Sequence, residues 1–250
     1  MKLTADELRR MEALHVRAWP AFETARIGGW LWRHSGGGSQ RANSVSTIAF
    51  EGMDVSAALD EVEARYAAKG VKARLQSCSL CRPESLPELL RARGYAEGET
   101  TVTMVKRIAD AEADADVEIG EEPSEEWLQV YLGAITESRR TTNRRILAGV
   151  PKPSAFFAYR KSGEIMSTAL CVAEPGHGGH CAVLECVATR AEGRRQGGAR
   201  AVLGTAETWA HRLGRDLIGL QVSETNAPAV ALYDSLGFVG VDRNRFWTRG

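Results

Sequence analysis

The chain has 250 residues, 32 Lys and Arg against 32 Asp and Glu, 44% hydrophobic residues, 25 Gly and 8 Pro. Its size fits two domains or one large one, and the mix is that of an ordinary globular protein, which excludes a disordered, collagen-like or coiled-coil chain. A formal net charge of zero argues against bulk attraction to nucleic acid, and no apolar run approaches the ~20 residues of a membrane span.

The first half opens with a helix, Thr4 to about Arg17, with Asp6 and Glu7 in its first turn and Leu8, Met11 and Leu14 as an apolar stripe. The charged segment Met1 to Arg10 is no signal peptide, so a cytoplasmic protein is expected. Two strand-like runs follow, Gly29–Ser35 and Ser44–Phe50, separated by the turn Ser35-Gly-Gly-Gly-Ser39. Trp30 and Trp32 alternate with Leu31 and so share a strand face, where they line either a core or a pocket between the halves. A helix over Val55–Lys69, a strand over Val71–Cys78, a short helix over Ser85–Arg93 and a strand over Thr101–Ile108 complete this half. Cys78 and Cys81 form a single C-x-x-C, short of a tetrahedral zinc site. Cys171, Cys181 and Cys186 sit in apolar runs, and a reducing compartment suits all five thiols.

From Asp110 to Glu126 there are nine acidic residues and no basic one. We read 110–116 as a linker, with domains over 1–109 and 117–250. Beyond it, Ser124 caps a helix reaching Ile135. The segment Thr136–Arg145 is polar, and its arginines (139, 140, 144 and 145) either favour an anionic substrate or form a solvated face. Ser154–Tyr159 and Ile165–Val172 read as a hairpin, and Cys181–Thr189 as a third strand. His177 and His180, in a Gly-rich loop without further ligands, read as plain loop residues, and no metal is expected. A helix ending near Leu213, a strand over Leu217–Val222, a helix capped by Asn226 and stopped by Gly237, and a strand from Phe238 finish the chain. Strands interleaved with helices give a layered α/β (α+β) fold.

Two segments carry chemistry. Arg194-Arg195-Gln196-Gly197-Gly198-Ala199-Arg200 joins a strand to a helix, with Arg190 nearby. Small residues admit a ligand close to the backbone, and a helix start favours a phosphate. It is neither a Walker loop nor G-x-G-x-x-G. The second segment is Asn226-Ala-Pro-Ala-Val-Ala-Leu-Tyr233-Asp-Ser-Leu-Gly237-Phe238.

Together, across roughly 117–250, they resemble the GNAT superfamily of acyl-CoA-dependent N-acyltransferases. Arg194, Gly197 and Ala199 match its pyrophosphate loop; Asn226, Ala231, Leu232, Tyr233, Leu236, Gly237 and Phe238 match its downstream pattern. The resemblance implies a central mixed, mostly antiparallel sheet flanked by helices. The first half echoes it at Leu89–Tyr95, which suggests two GNAT-like halves, the N-terminal one degenerate.

The implied co-substrate is acetyl-CoA. Arg194, Arg195, Gln196, Gly197, Gly198, Ala199 and Arg200 would take its pyrophosphate. The strand edge Val187, Ala188 and Thr189 would take its pantetheine arm, with Asn226 opposite and a backbone N–H near Val187 polarising the thioester. Tyr233 falls where the family places its general acid. Gln221 stands where some relatives carry a basic glutamate, and Glu185 matches the other position for one. By period-two alternation Glu185 shares a face with Val187 and Thr189, as general base or amine ligand, unless it only pairs with a nearby arginine. The expected reaction is acetyl transfer to a primary amine of a small molecule or amino acid by direct attack, in a monomer or homodimer. The alternatives are a peptide or protein N-acetyltransferase, another acyl donor, or a non-catalytic acyl-CoA-binding module.

Overall fold

The computed structural model describes residues 1–52, 54–109, 113–176 and 178–250. Helix α1 (Ala5–Ala18) begins at a reciprocal cap: the Glu7 N–H donates to Thr4 Oγ1 at 3.2 Å and the Thr4 N–H donates to the Glu7 carboxylate at 2.7 Å. Then come β1 (Glu23–Ile27), β2 (Trp30–His34), β3 (Val45–Ser46), α2 (Val55–Ala68), β4 (Ala73–Ser77), α3 (Leu86–Ala92) and β5 (Ala96–Arg107). The second half holds β6 (Val117–Gly120), α4 (Glu125–Gly133), α5 (Glu137–Leu147), β7 (Ser154–Lys161), β8 (Glu164–Ala173), β9 (Cys181–Thr189), α6 (Gly198–Arg212), β10 (Leu217–Ser223), α7 (Ala227–Ser235) and β11 (Val239–Arg249).

Among the described residues, eleven strands form one sheet, in the order β1-β2-β3-β4-β11-β5-β10-β9-β8-β7-β6. It is mixed and mostly antiparallel, with parallel pairing only at β3–β4 and β9–β10. The first half lends β5 to the middle of the second: β5 pairs with β10 on one side (Thr103 opposite Gln221) and with β11 on the other (Thr103 opposite Asp242). Helices flank the sheet. One core lies under α1 and α4, with Met11, Leu14, Trp127 and Tyr131. Another lies under α6 and α7, with Val202, Ala206, Phe157 and Tyr233. A third, built on Trp30, Trp32, Leu59, Tyr66 and Trp247, lies under α2 and α3.

Several local expectations change. Trp30 and Trp32 are core residues, 0% and 3% exposed. Each large ring buries more area there than a pocket rim would allow, and the Trp30 indole N–H donates to the Arg82 carbonyl. The run Ser44–Phe50 is a strand only over β3, because β4 offers partners only to Val45 and Ser46. The polar stretch Thr136–Arg145 is mostly the helix α5. Its arginines face solvent while Asn143, Ile146 and Leu147 turn inward, the spacing of one helical face. The strands β1 and β6 have no strong apolar alternation, and both lie on the sheet's margins. Of the acidic stretch expected to link the halves, residues 110–112 lie outside the described residues, as does His177. Asp114 is anchored, its N–H donating to Thr205 Oγ1 of α6. Among the described residues no helix is long and apolar enough to cross a membrane.

The seat of α6 on the sheet depends on a missing side chain. A Cβ on Gly198 would lie 2.5 Å from Ser167 Oγ and 2.7 Å from Tyr159 Cδ1. Gly198→Ala is therefore expected to destabilise the protein by about 1–3 kcal/mol through overpacking. Thermal unfolding should show a midpoint several degrees below that of the native chain; an unchanged midpoint would mean that α6 shifts freely.

Candidate active site

The strands β9 and β10 pair in parallel from Leu217/Cys181 to Leu220/Leu184 and then part. Beyond Leu184, the edge of β9 that faced β10 has no strand partner. On its other edge the register with β8 slips by one residue, Leu170 opposing Glu185 but Thr168 opposing Ala188. The slip is a bulge at Cys186, whose φ of 54° lies in the left-handed region. It turns the strand over. Val187 packs with the core under α6, whereas Cys186 and Ala188 pack with the core under α1. The extra residue breaks the expected alternation, so Glu185 does not share its face with Val187 and Thr189. Thr189 Oγ1 instead lies 2.9 Å from Ser167 Oγ, beneath α6.

A cleft of about 860 Å³ opens at this split. Leu184 to Val187 of β9, Leu220 to Ser223 of β10, and Asn226, Ala229 and Tyr233 of α7 line one end. Tyr233 is held edge-on to Phe238 with ring centroids 6.0 Å apart, and burial pushes its phenol up to about 12. Asn226 Oδ1 accepts from the Ala229 N–H at 3.4 Å, capping α7. The opposite wall comes from the first half and from α5, with Trp19, Gly38, Ser39, Arg41 and Arg139. Farther along the sheet face lie Thr101, Phe246, Arg74 and Lys72.

The turn before α6 is basic and open. Arg195 and Gly197 have φ of 62° and 89°, so the chain doubles back before the helix. A Cβ on Gly197 would meet no atom within 4 Å, and no acidic residue stands in the helix's first turn. Arg194, Arg195, Gln196, Gly197 and Arg200 are exposed. Arg200 donates to Ser235 Oγ at 3.0 Å, and Gln196 is tied to Lys161 and to the Glu192 carbonyl. A groove of about 360 Å³ runs beside this helix end, lined by Tyr159, Gln196, Gly197 and Arg200. Gly198 and Ala199 are turned toward the protein, and the bare Cα of Gly198 serves the packing of α6 on the sheet rather than open space.

Glu185 does have an arginine partner, though not one near it in sequence. Arg41 holds it in a two-pronged ion pair, Nη1–Oε1 2.7 Å and Nη2–Oε2 2.5 Å. Trp19 stacks on this guanidinium, 5.4 Å from ring centroid to Cζ. On the other flank His15 Nδ1 lies 3.5 Å from Glu185 Oε1. Burial would raise the Glu185 carboxyl, but Arg41 and His15 outweigh it and hold it at about 2. A carboxylate that binds a proton so weakly is a poor general base. Gln221 is occupied too: its Nε2 donates to Glu12 Oε2 at 3.1 Å and to Thr103 Oγ1 at 3.3 Å. Trp19, Arg41 and His15 thus gather at Glu185; Trp19 and Arg41 fall in the Trp-, Arg- and Asn-rich stretch 19–44, whose composition suits a pocket between the halves, whereas no sequence signal singles out His15. Among the described residues no group of three or more His, Cys, Asp or Glu side chains is placed to hold a metal ion.

A family model described as probable histone acetyltransferase Rv0428c, C-terminal, matches residues 4–247. An uncharacterized N-acetyltransferase, YobR, of Bacillus subtilis (strain 168) is 26% identical over 249 residues, covering 96% of this chain and 98% of its own. Among solved structures, a GCN5-related N-acetyltransferase from Kribbella flavida superposes with a TM-score of 0.66 at 16% identity, over 99% of this chain and 96% of its own. A tandem GNAT protein from the clavulanic acid biosynthesis pathway gives a TM-score of 0.59 at 14% identity, over 78% and 69%.

The ion pair at Glu185 sets an acid dependence. Its folded value lies below the ordinary 4.5, so the stabilisation is complete above that value and disappears as pH falls toward 2. The difference corresponds to roughly 3 kcal/mol. Arg41→Ala should lower the unfolding free energy at pH 7 by about 3–5 kcal/mol, since it strands a buried carboxylate. It should also flatten the native protein's loss of stability between about pH 5 and pH 2. Denaturant titrations across that range check both; an Arg41→Ala protein as acid-sensitive as the native one would refute the assignment.

Proposed function

The chain belongs to the GNAT family of acyl-CoA-dependent N-acetyltransferases, and from that premise we propose that it moves an acetyl group from acetyl-CoA directly to a primary amine of a small molecule or amino acid. The split between β9 and β10, with the bulge at Cys186, is the observation that carries the reading.

Acetyl-CoA, when bound, supplies an activated acyl thioester. The N–H groups at the start of α6, with Arg194, Arg195 and Arg200, would hold its pyrophosphate. Val187, Ala188 and Thr189 would pair by backbone with the pantetheine amides, and Asn226, whose Oδ1 caps α7, keeps its amide nitrogen for the same arm. A backbone N–H at Val187, freed by the split, would polarise the carbonyl. Attack forms the C–N bond and breaks C–S. The Tyr233 phenol, a neutral donor at any physiological pH, would give its proton to the departing thiolate, and the proton shed by the new amide nitrogen would restore it.

The cleft's charge bears on the acceptor. Four cations line it, Arg41, Lys72, Arg74 and Arg139, against two carboxylates, Glu99 and Glu185. Arg41 and Glu185 neutralise each other. Arg74 is half-buried, and among the described residues its one side-chain hydrogen-bond partner is the Thr248 hydroxyl at 3.4 Å. A half-buried guanidinium without a carboxylate favours an acceptor that brings an anionic group, such as an amino acid. A lysine-rich acceptor would meet repulsion there. The first half, which we read as a degenerate copy of the same fold, is thereby given a role as the acceptor wall.

Tyr233→Phe is expected to lower kcat by about 10²-fold or more while acetyl-CoA binding is unchanged. Gly197→Glu should abolish the rise in melting temperature that acetyl-CoA causes by mass action. Thiol release and thermal unfolding read the two outcomes. A Tyr233→Phe protein of full activity would remove the phenol from the reaction, and no rise in the native protein would sink the acetyl-CoA reading.

A further inference from the structure

Glu185 and Gln221 are both committed to partners, which leaves open where the acceptor's proton goes. An amine in water is mostly ammonium, and ammonium has no lone pair for attack. Behind the Arg41–Glu185 pair lies a small, partly open chamber of about 10 Å³, close to the room a single water needs. Arg41 and Gln221 line both the chamber and the cleft, so the two adjoin. The remaining walls are mixed: Val16, Ile48 and Cys78 stand beside the polar groups of Glu12 and His15 of α1, Arg33, Ser46, Gln76 and Asn244.

Two polar atoms in these walls are buried without a hydrogen-bond partner, His15 Nε2 and Gln221 Oε1. His15 is 2% exposed. Its Nδ1 faces an ionised carboxylate, which can only accept, so Nδ1 carries the ring proton. Nε2 then presents a lone pair, and Gln221 Oε1, whose Nε2 is spent on Glu12, presents another. Both residues line the water-sized space, and two orphaned acceptors there call for a donor.

We propose that His15, oriented by Glu185, takes the proton of the acceptor's ammonium through one water in this chamber. The reading rests on the transferase function proposed above. The ammonium gives one proton to the water, the water gives one to Nε2, and the products are the neutral amine and an imidazolium. The imidazolium is then flanked by two carboxylates, Glu185 and Glu12. Glu12 is itself held by Thr103, Asn244 and Gln221, its carboxyl pushed up by burial. Glu185 and Arg41 are positioning residues here, Arg41 keeping Glu185 ionised so that it fixes the tautomer. The other charged or titratable groups facing His15 and Glu12 are Arg33 and Cys78 at the chamber and Asp242 of β11.

The tautomer can be tested on the native protein without any acceptor. Nitrogen-15 spectra of the imidazoles should show the neutral form of His15 with a protonated Nδ1 and a bare Nε2; a neutral form with its proton on Nε2 overturns the proposal. The kinetic test compares His15→Gln with the native chain on two probe amines, ethylamine (an ammonium at pH 7) and hydroxylamine (neutral). The variant should lose about 10²-fold in kcat/KM on ethylamine, with partial recovery as pH rises, and far less on hydroxylamine. Equal losses on both amines, or no loss on either, overturn the proton path. Failure of acetyl-CoA to raise the native melting temperature would instead defeat the transferase reading, and the nitrogen-15 result is independent of it.

Discussion

The position of β5 constrains everything else in this molecule. A strand from the first half lies between β10 and β11, hydrogen-bonded along both edges. Neither half can close its own sheet without the other. The parallel pair β9–β10 holds to Leu220 because β10 is anchored along its far edge by β5, from Leu217 to Ser223. The split beyond Leu184 is thus a split against a fixed strand. A reactive cleft needs that rigidity, since misplacement by about 1 Å can cost 10²-fold in rate.

The same arrangement brings buried charge across the boundary. Arg41 and Glu185 are 144 residues apart in sequence and share two hydrogen bonds. Such a pair adds little net stability over apolar residues of the same shape. It does fix geometry, and the loop that presents Arg41 is built accordingly. The Asn43 side chain accepts from the Ser35 N–H at 2.8 Å and donates to the Gly37 and Ser39 carbonyls at 3.0 and 2.7 Å. Ser39 Oγ in turn accepts from the Trp19 indole at 2.9 Å. The glycine-rich turn is therefore clamped, and the guanidinium reaches Glu185 from a defined place.

What the sequence made legible follows from how local each signal is. The helix of α1 shows in Thr4, Glu7 and the stripe of Leu8, Met11 and Leu14, all within three turns. The turn before α6 and the α7 segment are likewise contiguous, and the sheet-and-helix architecture they imply is the one observed. The bulge at Cys186 could not be read, since period-two alternation gives no hint of one extra residue. Trp30 and Trp32 were ambiguous because a core and a pocket both use aromatic rings. Trp19 and Arg41 lie in a Trp-, Arg- and Asn-rich stretch that suits a pocket between the halves, but neither their pairing with Glu185 nor His15 could be read from it. Arg41 and His15 meet Glu185 across 144 and 170 residues, pairings that no spacing rule encodes.

This split between local and distant signals matches a division of labour. The groups proposed to bind acetyl-CoA and to protonate the thiolate lie on contiguous segments of the second half. The groups that would meet the acceptor (Trp19, Arg41, Arg74 and, through the chamber, His15) come from the first half. The first wall must match one constant molecule, so its residues are tied to a fixed backbone geometry. The second must match an acceptor whose size and charge differ between enzymes. Changing Arg74 or Lys72 leaves the β9–β10 split, the bulge and Tyr233 in place, since neither side chain bonds to them. Changing Arg41 does not, because its charge keeps Glu185 ionised beside the bulge. Acceptor preference can thus drift at the far end of the cleft, while the Arg41–Glu185–His15 chain ties the near end to the chemistry.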